Sequence, residues 1–371
     1  MMTKPDRPSP SDPRQHPTNR RALGAVLALA ALVLVVGGIA AYSALNAPRP
    51  AAPSTNPLGA GNSSSTSLAA GLDAAAKHQR DGKFAEAAAV LAKLTEIDAA
   101  DQTVRLAYAQ ALMGLKKHGE AYQQYEAALS LLPPGTTQRI ASGGDEHAAD
   151  LHFEAGTCAS MVGGDKMADR AIEHYSMAQT AAPREPRYPL YLAMVQLKKG
   201  DRESQEAAVA SLLRAAKLNP ELGEAWGTLA EIALRNDQLG LASQHLEKAR
   251  TLQPDVVRWR LVEARILNRR GDAEQAATAL TALPPEQRRQ PAVLAVLGES
   301  YGLLKRPLDA AAMYAEGFNA PGTEAPNAEL AYQSALWFER GGNAAEARRM
   351  ASAAAALGHV DARLLAGTTE K

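Results

Sequence analysis

Four times along this chain the same quartet recurs. An alanine is followed four positions on by a tyrosine or leucine, three further by a second alanine, and five beyond that by a proline. The residues are Ala121, Tyr125, Ala128, Pro133; Ala171, Tyr175, Ala178, Pro183; Ala208, Leu212, Ala215, Pro220; and Ala242, Leu246, Ala249, Pro254. Steps of four and three hold these side chains on one face of an α-helix, and the proline, which has no N–H to donate, stops it. Partial copies occur at Ala87, Leu91 and Leu94, at Ala276 and Leu280, at Ala310 and Tyr314, and at Ala347 and Ala351. A helix with so small an inward face buries it only against a second helix at close range.

That second helix lies upstream in each unit. Trp226, Leu229, Ala230 and Ala233 are spaced to share a face, with Ala230 and Ala242 allowing close approach and Trp226, Leu229 and Leu246 filling the space beside them. The stretch Trp226–Pro254 resembles the tetratricopeptide repeat, a 34-residue pattern of W-x2-L-G-x2-Y, A-x3-F and P. Ala230 stands for its Gly, Ala233 for its Tyr and Leu246 for its Phe, all conservative for packing. Leu294, Leu297, Gly298 and Tyr301 repeat the first-helix spacing. Gly156 and the pair Leu192-Ala193 mark two more units, and Ala331, Ala335 and Phe338 the last.

The resemblance covers about residues 68–365. Leu72, Ala75 and His78 form a weak first half, as expected of a terminal capping repeat. Two units carry about three extra residues between their helices, around Gly163-Gly164-Asp165 and Gly200-Asp201-Arg202. Thr136–Asp150 falls outside the pattern and reads as a loop running into a helix start near Asp145, either a tolerated insertion or a functional one. The resemblance implies an all-α, right-handed superhelical solenoid of about eight helix-turn-helix repeats with a groove lined by first helices. The physical reason is that each helix pair has two apolar faces and buries both only by stacking.

The amino terminus predicts a different environment. Residues 1–21 are polar and Pro-rich, with five basic residues (Lys4, Arg7, Arg14, Arg20, Arg21), and read as a disordered cytoplasmic tail. Ala22–Leu45 gives 24 residues without a charge, long enough for one transmembrane helix. The basic flank places the tail in the cytoplasm and the repeats outside it, in a periplasm-like space. The alternative is an exported protein cleaved near Ser43, although a signal peptide's apolar region usually runs only about 7–15 residues. Residues 46–67 read as a flexible Pro/Ala/Ser-rich tether, and 366–371 as a disordered tail.

Lys plus Arg equals Asp plus Glu at 40 each, so no bulk charge points to nucleic acid. The single cysteine, Cys158, excludes an intramolecular disulfide framework and reads as a small core residue. No phosphate-binding glycine loop and no nucleophile elbow is present. His147 and His152 stand five apart, which turns the second about 140° from the first on a helix, so both read as solvent-facing rather than as metal ligands. Neither cofactor nor catalysis is expected.

What the resemblance offers instead is a binding groove. Its first-helix groove positions fall on Arg187, Leu190, Met194, Leu197 and Lys198; on Glu224, Gly227, Glu231, Leu234 and Arg235; and on Arg258, Leu261, Arg265, Asn268 and Arg269. Trp337 and Arg340 hold such positions in the last repeat. Arginines beside apolar groups suit an acidic segment or a C-terminal carboxylate, since a guanidinium binds carboxylate in bidentate fashion. They suit equally well a face on which each arginine pairs with a neighbouring acid. The Lys and Asn arrangement of the chaperone-type carboxylate clamp is not reproduced. The sequence therefore predicts a membrane-anchored protein-interaction scaffold serving envelope, secretion or cytochrome-maturation assembly, with self-association through the Ala-rich end at Ala353–Ala356. A glycan or lipid-carrier binder using Trp337, or the substrate-recognition partner of a separate transferase, are the alternatives.

Overall fold

Each quartet forms the second helix of a pair, and each pair packs on the next. The computed structural model describes residues 63–320 and 327–367, which form 19 helices; among these residues there is no strand. The chain clusters into two compact units, whose boundary falls inside one helix between Val262 and Glu263.

The first unit holds α1 (Ser63–Arg80), α2 (Phe84–Ile97), α3 (Gln102–Gly114), α4 (His118–Ser130), α5 (Thr136–Ser142) and α6 (Glu146–Val162). It continues with α7 (Asp165–Ala181), α8 (Arg187–Lys199), α9 (Arg202–Leu218), α10 (Gly223–Arg235), α11 (Leu239–Leu252) and the start of α12 (Val257–Arg270). Helix α3 pairs with α4, α6 with α7, α8 with α9 and α10 with α11, and α4 packs on α6, α7 on α8 and α9 on α10. The second unit holds the rest of α12, then α13 (Ala273–Thr281), α14 (Pro285–Arg288), α15 (Pro291–Leu303), α16 (Pro307–Phe318), α17 (Ala328–Arg340), α18 (Ala344–Ala356) and α19 (Val360–Gly367). Here α15 pairs with α16 and α17 with α18, α16 packs on α17, and α19 caps α18.

The alanines and large residues of the four quartets are all buried, none more than 5% exposed. Volume is exchanged across each pair. Where the second helix carries a tyrosine at Tyr175 or Tyr314, the first carries a glycine, Gly156 or Gly298, and a Cβ there would meet the ring at 3.0 Å or 2.6 Å. Where it carries Leu212 or Leu246, the first helix carries Ala193 or Ala230, all four buried. Ala109 opposite Tyr125 departs from this exchange, and both are buried nonetheless.

The turn inside each pair has a fixed geometry. Five residues before the first alanine of the quartet, the backbone turns left-handed at Gly82, Lys116, Asp237, Gly271, Lys305 and Gly342. Three of these are not glycine, so the short connection and the packing on both sides outweigh the cost of a left-handed side-chain-bearing residue, about 1–2 kcal/mol. The two units with extra residues lack this turn and use Gly163, Gly164 and Gly200 instead. Polar caps hold several helix starts: Asp101 accepts from Val104 N at 3.1 Å, Asp145 from Ala148 N at 3.0 Å and Asp201 from Ser204 N at 2.8 Å.

Thr136–Ser142 is helix α5 rather than a loop. Its Ile140 enters the core formed with Ala148, Ala149, Ala181 and Tyr188, and left-handed Gly143 ends it against Pro183. One isoleucine in a polar heptapeptide gives no periodic signal, so the docking is tertiary. The helix start at Asp145 stands where the sequence places it. Helix α1 begins at Ser63, inside the stretch read as tether, and α19 was not anticipated. The predicted tail, the predicted membrane span at 22–45 and most of the tether lie outside the described residues. Among the described residues, no helix is long and apolar enough to cross a membrane.

Trp226, expected to fill the space between its helices, is not the tryptophan that fills the interior. Trp226 sits half-buried, donating from Nε1 to Pro220 O at 2.9 Å, stacked on His245 and capped by Lys248 Nζ at 3.9 Å from its ring centroid. The indole that fills the interior is Trp259, fully buried, seated directly on Gly227. A methyl group at position 227 would overlap that fully buried ring. Gly227→Ala should therefore destabilise the protein by about 1–3 kcal/mol, read as a lower urea midpoint. Gly119→Ala, where a Cβ meets nothing within 4 Å, should show no such loss.

Candidate functional site

The first-helix residues singled out by sequence separate into committed and uncommitted groups. Arg258 on α12 is committed. Its Nε and Nη2 donate to the two oxygens of Glu231, each at 2.7 Å, and Nη1 donates to Glu224. The guanidinium lies 5.1 Å from the Trp259 ring centroid, with the side chain only 15% exposed. Burial works against its charge, but Glu231 and Glu224 outweigh burial and hold its pKa above the ordinary arginine value. Arg235 is exposed at the end of α10, within electrostatic reach of Glu231 and Arg258. These four groups carry two charges of each sign and neutralise one another.

On α8, Arg187 pairs with Glu185 at 3.0 Å and with Asp150 at 3.7 Å, over the rings of Phe153 and Tyr188. Asp150 also accepts from Tyr188 OH at 3.0 Å. Lys198 is exposed and reaches Ser160 O at 3.4 Å, and Met194 is half-buried. Leu261 and Asn268, expected to line a groove, are buried at 8% and 5% exposure. Helix α12 turns them into the packing between helices.

In the second unit, Arg265 and Arg269 lie near Glu299 of α15. Burial raises the Glu299 pKa; Arg265 and Arg269 pull it down without cancelling that effect. Two guanidiniums, Arg265 and Arg269, thus lie near one carboxyl whose pKa burial raises. Asn268 accepts from Ser300 Oγ at 3.0 Å. On α17, Trp337 rests against Gly302 and Arg340 covers its ring at 4.6 Å.

Sequence reasoning missed Glu154, on α6 one turn beyond Asp150. Its carboxyl makes no hydrogen bond or ion pair with any described residue, and the residue is only half-buried by surface. Burial raises its pKa to about 7, Asp150 adds to the rise, and Arg187 opposes it. The i, i+4 spacing of Asp150 and Glu154 was readable, but the insertion before α6 obscured its repeat register.

His152 does not face solvent as expected. Its Nδ1 meets Nδ1 of His174 at 3.1 Å, and His174 Nε2 reaches Glu126 Oε1 at 3.0 Å and Tyr122 OH at 3.3 Å. His147 is exposed and bonds Gln102 at 3.2 Å. Among the described residues, no group of three or more His, Cys, Asp or Glu is placed to hold a metal ion. Cys158 is fully buried against Met113, with Sγ to Sδ at 3.1 Å, and burial pushes its thiol pKa up.

No family model matches the chain, and no curated protein matches it. Solved structures do. One chain of the APC/C hetero-tetramer Cut9–Hcn1 aligns with 82% of this chain and 55% of its own length, at 16% identity and a TM-score of 0.51. This chain thus spans about half of that one. A tetratricopeptide repeat protein from Parabacteroides merdae aligns over 82% of this chain and 100% of its own, at 15% identity and a TM-score of 0.43. YrrB, a TPR protein with an unusual peptide-binding site, aligns over 54% and 97%, at 15% identity and a TM-score of 0.43. The fold of this chain is an all-helical array of helix pairs, and the solved structures it is similar to include tetratricopeptide repeat proteins.

Two predictions follow from these geometries. Arg258→Ala strands two carboxylates in a partly buried place, and should lower stability by about 2–4 kcal/mol, somewhat under the range for fully buried pairs; a urea titration checks it. His152 and His174 have pKa values lowered first by burial, His152 to about 4. The fold therefore favours their neutral forms, and the stability this contributes is present above about pH 6.5 and lost as pH falls toward 4. Glu154 acts oppositely over that range, so the comparison must be between variants. His152→Gln should lose less melting temperature than the parent between pH 6.5 and 4.

Proposed function

We propose that the chain is a protein-interaction scaffold whose first-helix faces receive segments of partner proteins. The observation that carries this is the contrast between Arg258 and Arg265. Arg258 is neutralised by Glu224 and Glu231, whereas Arg265 makes no ion pair within 4 Å among the described residues. An acidic segment or a C-terminal carboxylate of a partner is received there, with Arg265 donating in bidentate fashion. Arg258 takes no part. Residues 22–45 tether the scaffold to a membrane, with the repeats outside the cytoplasm, where they gather the components of an envelope, secretion or cytochrome-maturation assembly.

Binding of glycans or lipid carriers through Trp337 stands second, because Gly302 and Arg340 already occupy much of that ring. The test is crosslinking of the full chain in its native membranes, followed by a denaturing wash and identification of what remains attached. A small recurrent set of proteins, reduced at least tenfold by the double reversal Arg265→Glu with Arg269→Glu, is the expected result. A recurrent set unaffected by that reversal would move the site elsewhere. The absence of any recurrent protein would defeat the scaffold reading.

A further inference from the structure

We propose that His152 and His174 form an acid-sensitive latch across the seam of α4, α6 and α7. It stays closed when the pair gains no proton or one, and a second proton opens it. This goes beyond the scaffold reading and does not depend on it.

Hydrogen-bond valence fixes where the hydrogens sit. His174 Nε2 lies 3.0 Å from Glu126 Oε1, and an ionised carboxylate only accepts, so Nε2 carries the hydrogen. In the neutral ring Nδ1 is then bare and accepts. His152 Nδ1, 3.1 Å away, supplies the donor, so neutral His152 is the Nδ1–H tautomer. Between the two facing nitrogens there is space for one hydrogen only.

A first added proton respects that limit. Placed on His152 Nε2, it leaves the Nδ1–H donor as it was. Placed on His174, it reverses the bond, with His174 Nδ1 donating to a bare His152 Nδ1 and Nε2 still donating to Glu126. A second proton puts a hydrogen on both facing nitrogens, and the 3.1 Å contact gives way to the repulsion of two cations.

The rest of the seam supplies one counter-charge, not two. The charged groups acting on the imidazoles are Glu126 of α4 and Glu173 and Arg170 of α7. Helices α3, α5 and α8, which also pack on these three, add none to that set. Glu173 and Arg170 pair with each other at 2.9 Å and act on His174 in opposite directions. Tyr122 OH, 3.3 Å from His174 Nε2, is neutral, its pKa raised by burial. His174 is 6% exposed, whereas His152 is half-buried. The ring that leaves is therefore His152, and with it goes the polar tie of α6 to α7 and, through His174, to α4.

Burial lowers the pKa of both rings, His152 to about 4. A depressed histidine pKa stabilises the closed seam above about pH 6.5 and loses that contribution as pH falls toward 4. From His152 alone, linkage raises the open population roughly thirtyfold between pH 6 and pH 4. Glu126, whose pKa burial raises, works in the opposite sense and reduces that gain.

The experiment uses the full chain labelled with 15N-histidine. Long-range 1H–15N spectra at pH 7.5 should show His152 as the Nδ1–H tautomer and His174 as the Nε2–H tautomer, each signal assigned by its loss in His152→Gln or His174→Gln. Hydrogen exchange, corrected for intrinsic rate, should show α4 and α6 at least about tenfold less protected at pH 4 than at pH 6, with α15 and α16 changing less than about threefold. Glutamine donates and accepts but takes up no proton, so His152→Gln should hold the change in α4 and α6 under about threefold. Should that variant fold poorly, the tautomers and the exchange of the parent decide. An Nε2–H tautomer at His152, a seam that opens no more than α15 and α16, or equal opening in a folded His152→Gln would overturn the inference.

Discussion

The close approach of helices at glycine and alanine is the constraint on which the rest of the structure depends. Two tyrosines come close where the opposite helix offers no side chain, as Gly156 does for Tyr175 and Gly298 for Tyr314, and the leucines where it offers only a methyl group, as at Ala193 and Ala230. Close packing follows, and with it the contact that lets Ala-rich helices cohere at all. Alanine contributes little apolar area alone, so dispersion over many short contacts has to supply the stability. The left-handed turns at Lys116, Asp237 and Lys305 are a consequence. The packed pair fixes the path of the connection, and whatever residue occupies it adopts the backbone required.

The parts of the fold legible in the sequence were those set by this constraint. The Ala–Tyr/Leu–Ala–Pro quartet is local, falls within one helix and is readable without knowledge of its partner. Helix α5 was not legible, because Ile140 acquires its meaning only from Ala149, Ala181 and Tyr188. The tryptophans show the same limit. Trp226 occupies the family's aromatic position, yet it lies at a half-buried seam, held by Pro220 and Lys248. Trp259 carries no motif and fills the interior, because Gly227, more than thirty residues away in sequence, leaves it a seat.

Charge was less legible than shape, for a related reason. Helical periodicity shows which way a residue points but not what meets it. Arg258 and Arg265 lie two turns apart on α12, and their sequence surroundings are nearly alike. Glu224 and Glu231, on another helix, neutralise the first. The second lies near Glu299, whose pKa burial raises. Reading the arginines as one cationic cluster therefore merged an arginine tied by two carboxylates with one that makes no ion pair within 4 Å among the described residues.

Glu154 completes the argument from the other sign. A protein that uses ion pairs to join helices, as at Arg258, has the means to satisfy a carboxyl wherever one is buried. At Glu154 it supplies no donor, while Asp150, one turn before it, has both Tyr188 and Arg187. The difference is not one of access to partners, since Arg187 lies near both acids and is committed to Asp150 and Glu185.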